Sequence, residues 1–152
     1  IALGIGYRTN MGGIKQLSKL LNNIVKEIIP VPLPHWNGPK DCLHLMSNLS
    51  PIDHNLFLVY PRLLPVNFIE YLLKNNIELI NVPDEEYETM ACNVLAIAPK
   101  EVIMVEGNPL TKNLLEKSKV KVYTYKGSEI SLKGSGGPTC LTKPLFRVPL
   151  NR

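Results

Sequence analysis

The feature that most constrains the fold is a weak internal repeat of apolar segments. Its central copy has two strand-like segments at 43–50 and 56–60, joined by the turn residues of PIDHN, then a helical pattern at 66–76 and a strand-like segment at 77–83. The unit of strand, strand, helix and strand is about 45 residues long, which is in the range typical of repeat architectures.

Two further copies flank the central one, and the first of them lacks only the leading strand. The remaining segments are strand-like at 1–6, 27–33, 93–99, 101–107 and 120–127, with helical patterns at 12–25 and 109–119. Each helical pattern contains a pair of leucines where helical spacing predicts the buried face: Leu20 and Leu21, Leu72 and Leu73, Leu114 and Leu115. Doubly wound sheets alternate one strand with one helix, so two strands per helix favour a radial arrangement of small mixed α/β sheets.

Composition excludes several classes of protein. The apolar share of 45% and charged share of 20% are those of an ordinary globular domain, and no run approaches the roughly 18 apolar residues that span a bilayer. The net charge of +4 is mild and its lysines and arginines are scattered, so neither nucleic acid nor a membrane is an expected partner.

The chain begins with the apolar run IALGIG and shows no signal-peptide pattern. Because the first repeat lacks its leading strand, we expect an N-terminal part of the protein to precede residue 1. The three cysteines, Cys42, Cys92 and Cys140, are widely spaced and form no CxxC pair, which argues against a zinc site and a disulfide scaffold. We therefore expect a reducing cytoplasmic location and no metal.

Cys140 lies in the stretch GSGGPTCLTKPL, from 134 to 145, among glycines and prolines. A thiolate is a strong nucleophile when its approach is open, and glycines remove side-chain bulk and permit positive φ angles. Catalysis at Cys140 is one interpretation, and a buried structural thiol is the other. Cys92 and Cys42 lack a comparable setting, and we predict structural roles for both.

Two further residues are candidates for chemistry. His44 lies between Leu43 and Leu45, and in a strand it would project opposite to both leucines; a histidine there could perform acid–base catalysis or be a structural residue. Arg8 follows the first strand, where its guanidinium could bind a carboxylate with two hydrogen bonds or be solvated. His35 and His54, in turn-rich segments, receive no role.

Together these segments resemble the guanidine-modifying superfamily, which includes arginine deiminases, dimethylarginine dimethylaminohydrolases and amidinotransferases. The resemblance rests on RTN after the first strand, HLMS, NVLAIAPKEVI and GSEISLKGSGGPTCLTKPL, and it covers nearly the whole chain. It implies the pentein fold, an α/β-propeller of five modules. Residues 1–152 would then be the C-terminal portion of a single propeller domain, with about three of the five modules present.

The resemblance also implies roles for the candidate residues. Cys140 matches the nucleophile, His44 the acid–base histidine and Arg8 an arginine that binds the substrate carboxylate. The implied reaction hydrolyses the guanidino group of arginine or a methylated arginine through a covalent thiouronium on Cys140, without a cofactor. Family carboxylates that bind the guanidinium and support the histidine would lie upstream of residue 1, so this chain alone is not expected to be active.

Two departures from the arginine deiminase pattern bear on the substrate. Met46 stands where those enzymes carry an aspartate two positions after the histidine, and Ser135 stands where they carry an arginine five positions before the cysteine. Both departures weaken the case for free arginine and favour a dimethylarginine dimethylaminohydrolase-like substrate.

Other interpretations stay open. Amidinotransfer would use the same cysteine with an amine acceptor, and some penteins, such as the ribosome anti-association factor, are non-catalytic binding proteins that lack the Cys–His pair. The expected partners are a small guanidino substrate and either a second copy or a second chain that supplies the missing modules.

Overall fold

The computed structural model describes residues 1–41 and 43–148, which contain both strands and helices. The strands are β1 (Ala2–Ile5), β2 (Ile29–Pro32), β3 (Leu49–Asp53), β4 (Leu56–Val59), β5 (Glu78–Asn81), β6 (Leu95–Ala98), β7 (Glu101–Val105) and β8 (Lys121–Tyr125). The α-helices are α1 (Met11–Leu21), α2 (Leu45–Asn48), α3 (Val66–Lys74), α4 (Asp84–Tyr87), α5 (Pro109–Lys117) and α6 (Pro138–Leu141). A 3₁₀ turn covers Pro61–Leu63 and a π-helical turn covers Ser128–Leu132.

The strands form three small sheets with a shared topology. In the second sheet β3 pairs antiparallel with β4, and β4 pairs parallel with β5 after the crossover through α3. In the third sheet β6, β7 and β8 repeat this arrangement around α5, whereas the first sheet has only the parallel pair β1 and β2 around α1. The predicted mixed α/β repeat of strand, strand, helix and strand is therefore present, with its first copy one strand short.

The largest apolar core lies where the second and third sheets meet. Its fully buried side chains include Leu58 of β4, Val102 and Met104 of β7, and Leu115 of α5. The middle strands of these two sheets, β4 and β7, have a neighbouring strand on each side, and their continuous apolar sequences are consistent with this burial. A second cluster packs α3, through Phe68 and other residues, against β4 and the first sheet.

The paired leucines are only partly where the sequence pattern predicts them. Leu72 is buried whereas Leu73 is 54% exposed, and Leu20 is 76% exposed. At 3.6 residues per turn, adjacent side chains point about 100° apart, so one narrow helix face cannot bury both members of a pair. In α5, Leu115 is buried and Leu114 packs at the edge of the core.

The segment 43–50 does not form the predicted strand. It begins with the short helix α2, and β3 starts only at Leu49 and continues through Pro51, where a turn was expected. Pro51 is tolerated because β3 is an edge strand of its sheet, and the pairing register shifts at this proline. The turn itself falls at His54 and Asn55.

Within residues 1–41 and 43–148, no helix has the length and apolar character needed to cross a membrane.

Candidate active site

One cavity of about 760 Å³ brings together the three residues singled out by the sequence. Arg8 reaches it from the segment after β1, His44 from the position before α2, and Cys140 from α6. Arg8 and His44 also line a small neighbouring cavity of about 90 Å³. Residues that are far apart in the sequence therefore share one concave surface, the usual form of a small-molecule site.

Cys140 is exposed, but it lies in a short helix rather than in a glycine loop. Its backbone N–H donates to the carbonyl of Gly137, 3.0 Å away, at the start of α6. The glycines of GSGG do not adopt the positive φ angles that glycine permits: in this stretch the positive φ, 51°, belongs to Ser135.

Close packing accounts for the glycines that precede Cys140. A Cβ on Gly137 would lie 2.5 Å from Cγ of Asn93, and a Cβ on Gly136 would lie 3.2 Å from Cβ of Cys140. Both positions are buried. The sequence interpretation related these glycines to an open approach to the thiol, whereas in the structure they make room for Asn93 and for Cys140 itself.

Asn93, just before β6, is a residue that the sequence interpretation missed. It is 6% exposed, and its Nδ2 donates to Sγ of Cys140 at 3.2 Å. Its Oδ1 accepts hydrogen bonds from the backbone N–H of Thr139 at 3.1 Å and from Oγ1 of Thr139 at 2.5 Å. The only sequence signal is a polar residue at the head of an apolar strand, which does not identify its distant partner.

His44 precedes α2 and is not part of a strand, so its predicted alternation with Leu43 and Leu45 is wrong. Its backbone N–H donates to Oγ of Ser47 at 3.3 Å, and Ser47 N–H donates to the His44 carbonyl at 2.9 Å. This reciprocal capping holds the backbone of His44 in place at the cavity wall. His35 contacts the hydroxyl of Tyr7, and His54 lines a different cavity.

Acidic and aromatic side chains form another part of the cavity wall. Asp41, Glu88, Trp36 and Tyr87 all line it. Burial, followed by the proximity of Cys92, Glu88 and Asp41, raises the pKa of Tyr87 far above its ordinary value, so its phenol remains a neutral donor. Trp36 meets Tyr87 edge-on, with ring centroids 6.3 Å apart. The wall thus combines π faces with charges of both signs, because Lys40 and Arg8 line the same cavity as the two carboxylates.

Cys92 has the properties of the structural thiol that the sequence predicts. It is 2% exposed, and Sγ contacts the carbonyl of Leu58 at 3.9 Å. Burial raises the pKa of the Cys92 thiol to about 12, so the nucleophilic thiolate is not formed near neutral pH. Cys42, for which the same role is predicted, lies outside the described residues.

Within the described part of the chain, no three His, Cys, Asp or Glu side chains cluster closely enough to hold a metal ion.

Comparisons with known proteins place the chain in the guanidine-modifying superfamily, since its relatives include arginine deiminases, a DDAH and an amidinotransferase. Within that class, the family model described as arginine deiminase matches residues 64–147, more than half of the 152 residues. The chain belongs to the arginine deiminase family.

Curated relatives match along almost the whole chain. An arginine deiminase of Clostridium perfringens (strain SM101 / Type A) is 27% identical over 99% of this chain and 44% of its own length. The uncharacterized protein YkgA of Bacillus subtilis (strain 168) is 31% identical over 97% of this chain and 48% of its own length. The chain thus spans about half the length of the curated relatives it matches.

Solved structures share the fold. DDAH from Pseudomonas aeruginosa, in complex with citrulline, matches with a TM-score of 0.70 and 25% identity over 91% of this chain and 49% of its own. The amidinotransferase SxtG from Microseira wollei matches with a TM-score of 0.78 and 21% identity over 93% of this chain and 43% of its own. The N-terminal domain of ArgZ, a cyanobacterial arginine dihydrolase, matches with a TM-score of 0.73 and 21% identity over 92% of this chain and 49% of its own.

Proposed function

We propose that this chain forms part of a cysteine-dependent hydrolase that acts on the guanidino group of arginine or a methylated arginine. The observation that carries this proposal is the single cavity lined by Cys140, His44 and Arg8. A nucleophile, an acid–base group and a carboxylate-binding cation on one concave surface are the parts that such a reaction requires. Family membership supports the same reaction class.

The proposed reaction has two steps. The thiolate of Cys140 attacks the central guanidinium carbon and forms a C–S bond, and the C–N bond to the departing amine breaks as His44 donates a proton to that nitrogen. A water molecule then gives a proton to His44 and attacks the thiouronium carbon. The C–S bond breaks, the thiolate is restored and a ureido product leaves. The substrate is itself the electrophile, so the steps as written need no cofactor.

Substrate binding divides between two regions of the cavity. Arg8 would hold a carboxylate with its two-pronged guanidinium, and Asp41 and Glu88 would supply negative charge for a cationic guanidinium on a wall that also carries Lys40. Met46 does not line this cavity, whereas Ser135 does. Ser135 stands in the cavity where arginine deiminases carry an arginine, and the proposed substrate is therefore a methylated arginine ahead of free arginine.

We further propose that the three sheets are modules of a pentein propeller, of which residues 1–152 form the C-terminal portion. The shared topology of the sheets and the half-length coverage of the relatives support this arrangement. Other modules, from the same polypeptide, a second copy or another chain, would then complete the cavity and supply its remaining carboxylates.

The test is turnover by the full-length protein of L-arginine, asymmetric dimethylarginine and agmatine, each with and without glycine as an amine acceptor. We expect a ureido product, release of dimethylamine from the methylated substrate, and a covalent adduct on Cys140 detectable by mass spectrometry. Cys140→Ser should abolish turnover and Cys92→Ser should not abolish it. Turnover that persists in Cys140→Ser, or no turnover of any guanidine, would contradict the proposal, and amidinated glycine would identify amidinotransfer.

A further inference from the structure

The side chain of Asn93 is directed at the sulfur of Cys140 from the third sheet. Asn93 is 6% exposed, and within residues 1–41 and 43–148 its side chain forms three hydrogen bonds, all with two consecutive residues of α6, Thr139 and Cys140. A buried amide whose nitrogen and oxygen both form hydrogen bonds with one short helix is a specific connection rather than incidental packing.

The partners of Asn93 determine which way its amide faces. The backbone N–H of Thr139 can only donate, and it lies 3.1 Å from Oδ1 of Asn93. The oxygen of the amide must therefore face Thr139, and the NH₂ group must face Sγ of Cys140, 3.2 Å away. The group beside the sulfur is a hydrogen-bond donor, which favours the anionic form of that sulfur over the neutral form.

We propose that Asn93 is a positioning residue that holds Cys140 at the cavity and stabilises its thiolate through the Nδ2–H···Sγ hydrogen bond. The proposal rests on the proposed function, in which Cys140 is the nucleophile. Gly137 is part of the same device, because a Cβ at that position would lie 2.5–2.7 Å from three side-chain atoms of Asn93 and would push the amide away from α6.

Three variants of the full-length protein distinguish the effect of the hydrogen bond from Asn93 to the sulfur of Cys140 from the effect of holding α6 in place. Asn93→Ala removes every contact, whereas Asn93→Asp keeps an acceptor for Thr139 and places a carboxylate oxygen beside the sulfur. Thr139→Val is the matched control, because it removes one hydrogen bond to Oδ1 of Asn93 and leaves the bond to Cys140 intact.

The measurement is the rate at which iodoacetamide alkylates Cys140 as a function of pH, followed by mass spectrometry of the peptide that contains it. Buried Cys92 serves as the unreactive reference thiol in the same sample. At neutral pH we expect Asn93→Ala to react about 10-fold more slowly than the parent, and Asn93→Asp more slowly still, as for loss of a hydrogen bond to a charged group. The rate–pH profiles of both should move to higher pH, and that of Thr139→Val should not.

An alkylation rate of Asn93→Asp equal to that of the parent would overturn the proposal. Equal slowing of alkylation in Asn93→Ala and Thr139→Val would also overturn it, because Asn93 would then only attach α6 and would not act on the sulfur. Thermal melting shows whether each variant is folded, and if Asn93→Asp is not, Asn93→Ala carries the test. Alkylation needs no guanidine, so its outcome is independent of whether the proposed hydrolase activity is found.

Discussion

The carboxylate of Glu86 accepts a hydrogen bond from the backbone N–H of Thr111, with 2.7 Å between Oε2 and N. Its other oxygen accepts from the N–H of Leu110 at 2.8 Å. Glu86 is 5% exposed and lies in α4, whereas both donors belong to the first turn of α5. One buried side chain therefore accepts hydrogen bonds from two backbone N–H groups that have no acceptor within α5. Its negative charge also interacts favourably with the positive, N-terminal end of the helix dipole.

We predict that Glu86→Ala lowers the free energy of unfolding by about 2–4 kcal/mol, because two buried N–H groups lose a charged acceptor. Urea denaturation followed by circular dichroism would measure the loss. Glu85→Ala is the matched control, since Glu85 is exposed in the same short helix and should change stability by less than about 0.5 kcal/mol. Equal losses in the two variants would show that the Glu86 bonds contribute nothing specific.

A second prediction concerns the hydroxyl of Tyr87, which donates to Oδ1 of the fully buried Asn48 at 2.8 Å. Tyr87→Phe leaves that oxygen without its donor, and we expect a loss of about 1–3 kcal/mol of unfolding free energy. The comparison is Tyr60→Phe, because Tyr60 donates to Asp84, whose side chain is 52% exposed and can bind water instead. A larger loss from Tyr60→Phe in denaturant titrations would contradict this account.

The burial of Cys92 predicts a pH dependence of stability. Its pKa is raised from an ordinary value of 9.0 to about 12, so above about pH 9 the unfolded chain loses this proton while the folded chain keeps it. The contribution of the neutral thiol is therefore fully present below about pH 9 and is lost as the pH rises toward 12.

In Cys92→Ala, stability should fall less steeply between about pH 9 and 11, by on the order of 1 kcal/mol per pH unit relative to the parent. The slope is compared rather than the absolute stability, because the substitution also leaves a small cavity. Chemical denaturation at closely spaced pH values would measure both slopes. Parallel slopes for parent and variant would mean that the thiol ionises equally well in the folded chain.

Much of the fold could be predicted because its longer strands and helices each have a recognisable pattern of apolar residues within their own segment. The apolar runs of β4 and β7 and the periodic helices α3 and α5 each carry their signal within a few residues, and the order of these segments implies the repeat. Shorter elements cannot be predicted from such patterns. A helix of four residues such as α2 has about one turn, too little for a periodic pattern, and its start depends on capping by Ser47.

The candidate site could be predicted only in part, for a related reason. The residue types and local settings of Cys140, His44 and Arg8 made them candidates, and the resemblance to a known superfamily implied their roles. The hydrogen bond from Asn93 to Cys140 joins residues 47 positions apart, and no local pattern records it. The sequence interpretation related the glycines before Cys140 to an open approach to the thiol, and it missed that Gly137 packs against Asn93, a residue distant in the sequence.

The last prediction concerns Arg8 and the choice of substrate. If Arg8 binds the substrate carboxylate, Arg8→Lys should weaken binding of arginine-like substrates by about 1–3 kcal/mol, because the point charge of lysine cannot reproduce a two-pronged contact. Agmatine, which has a guanidinium and no carboxylate, should be largely unaffected. Steady-state kinetics of the full-length protein with both compounds would measure the difference. Equal losses would assign Arg8 a structural role, and a parent preference for agmatine would exclude amino-acid substrates.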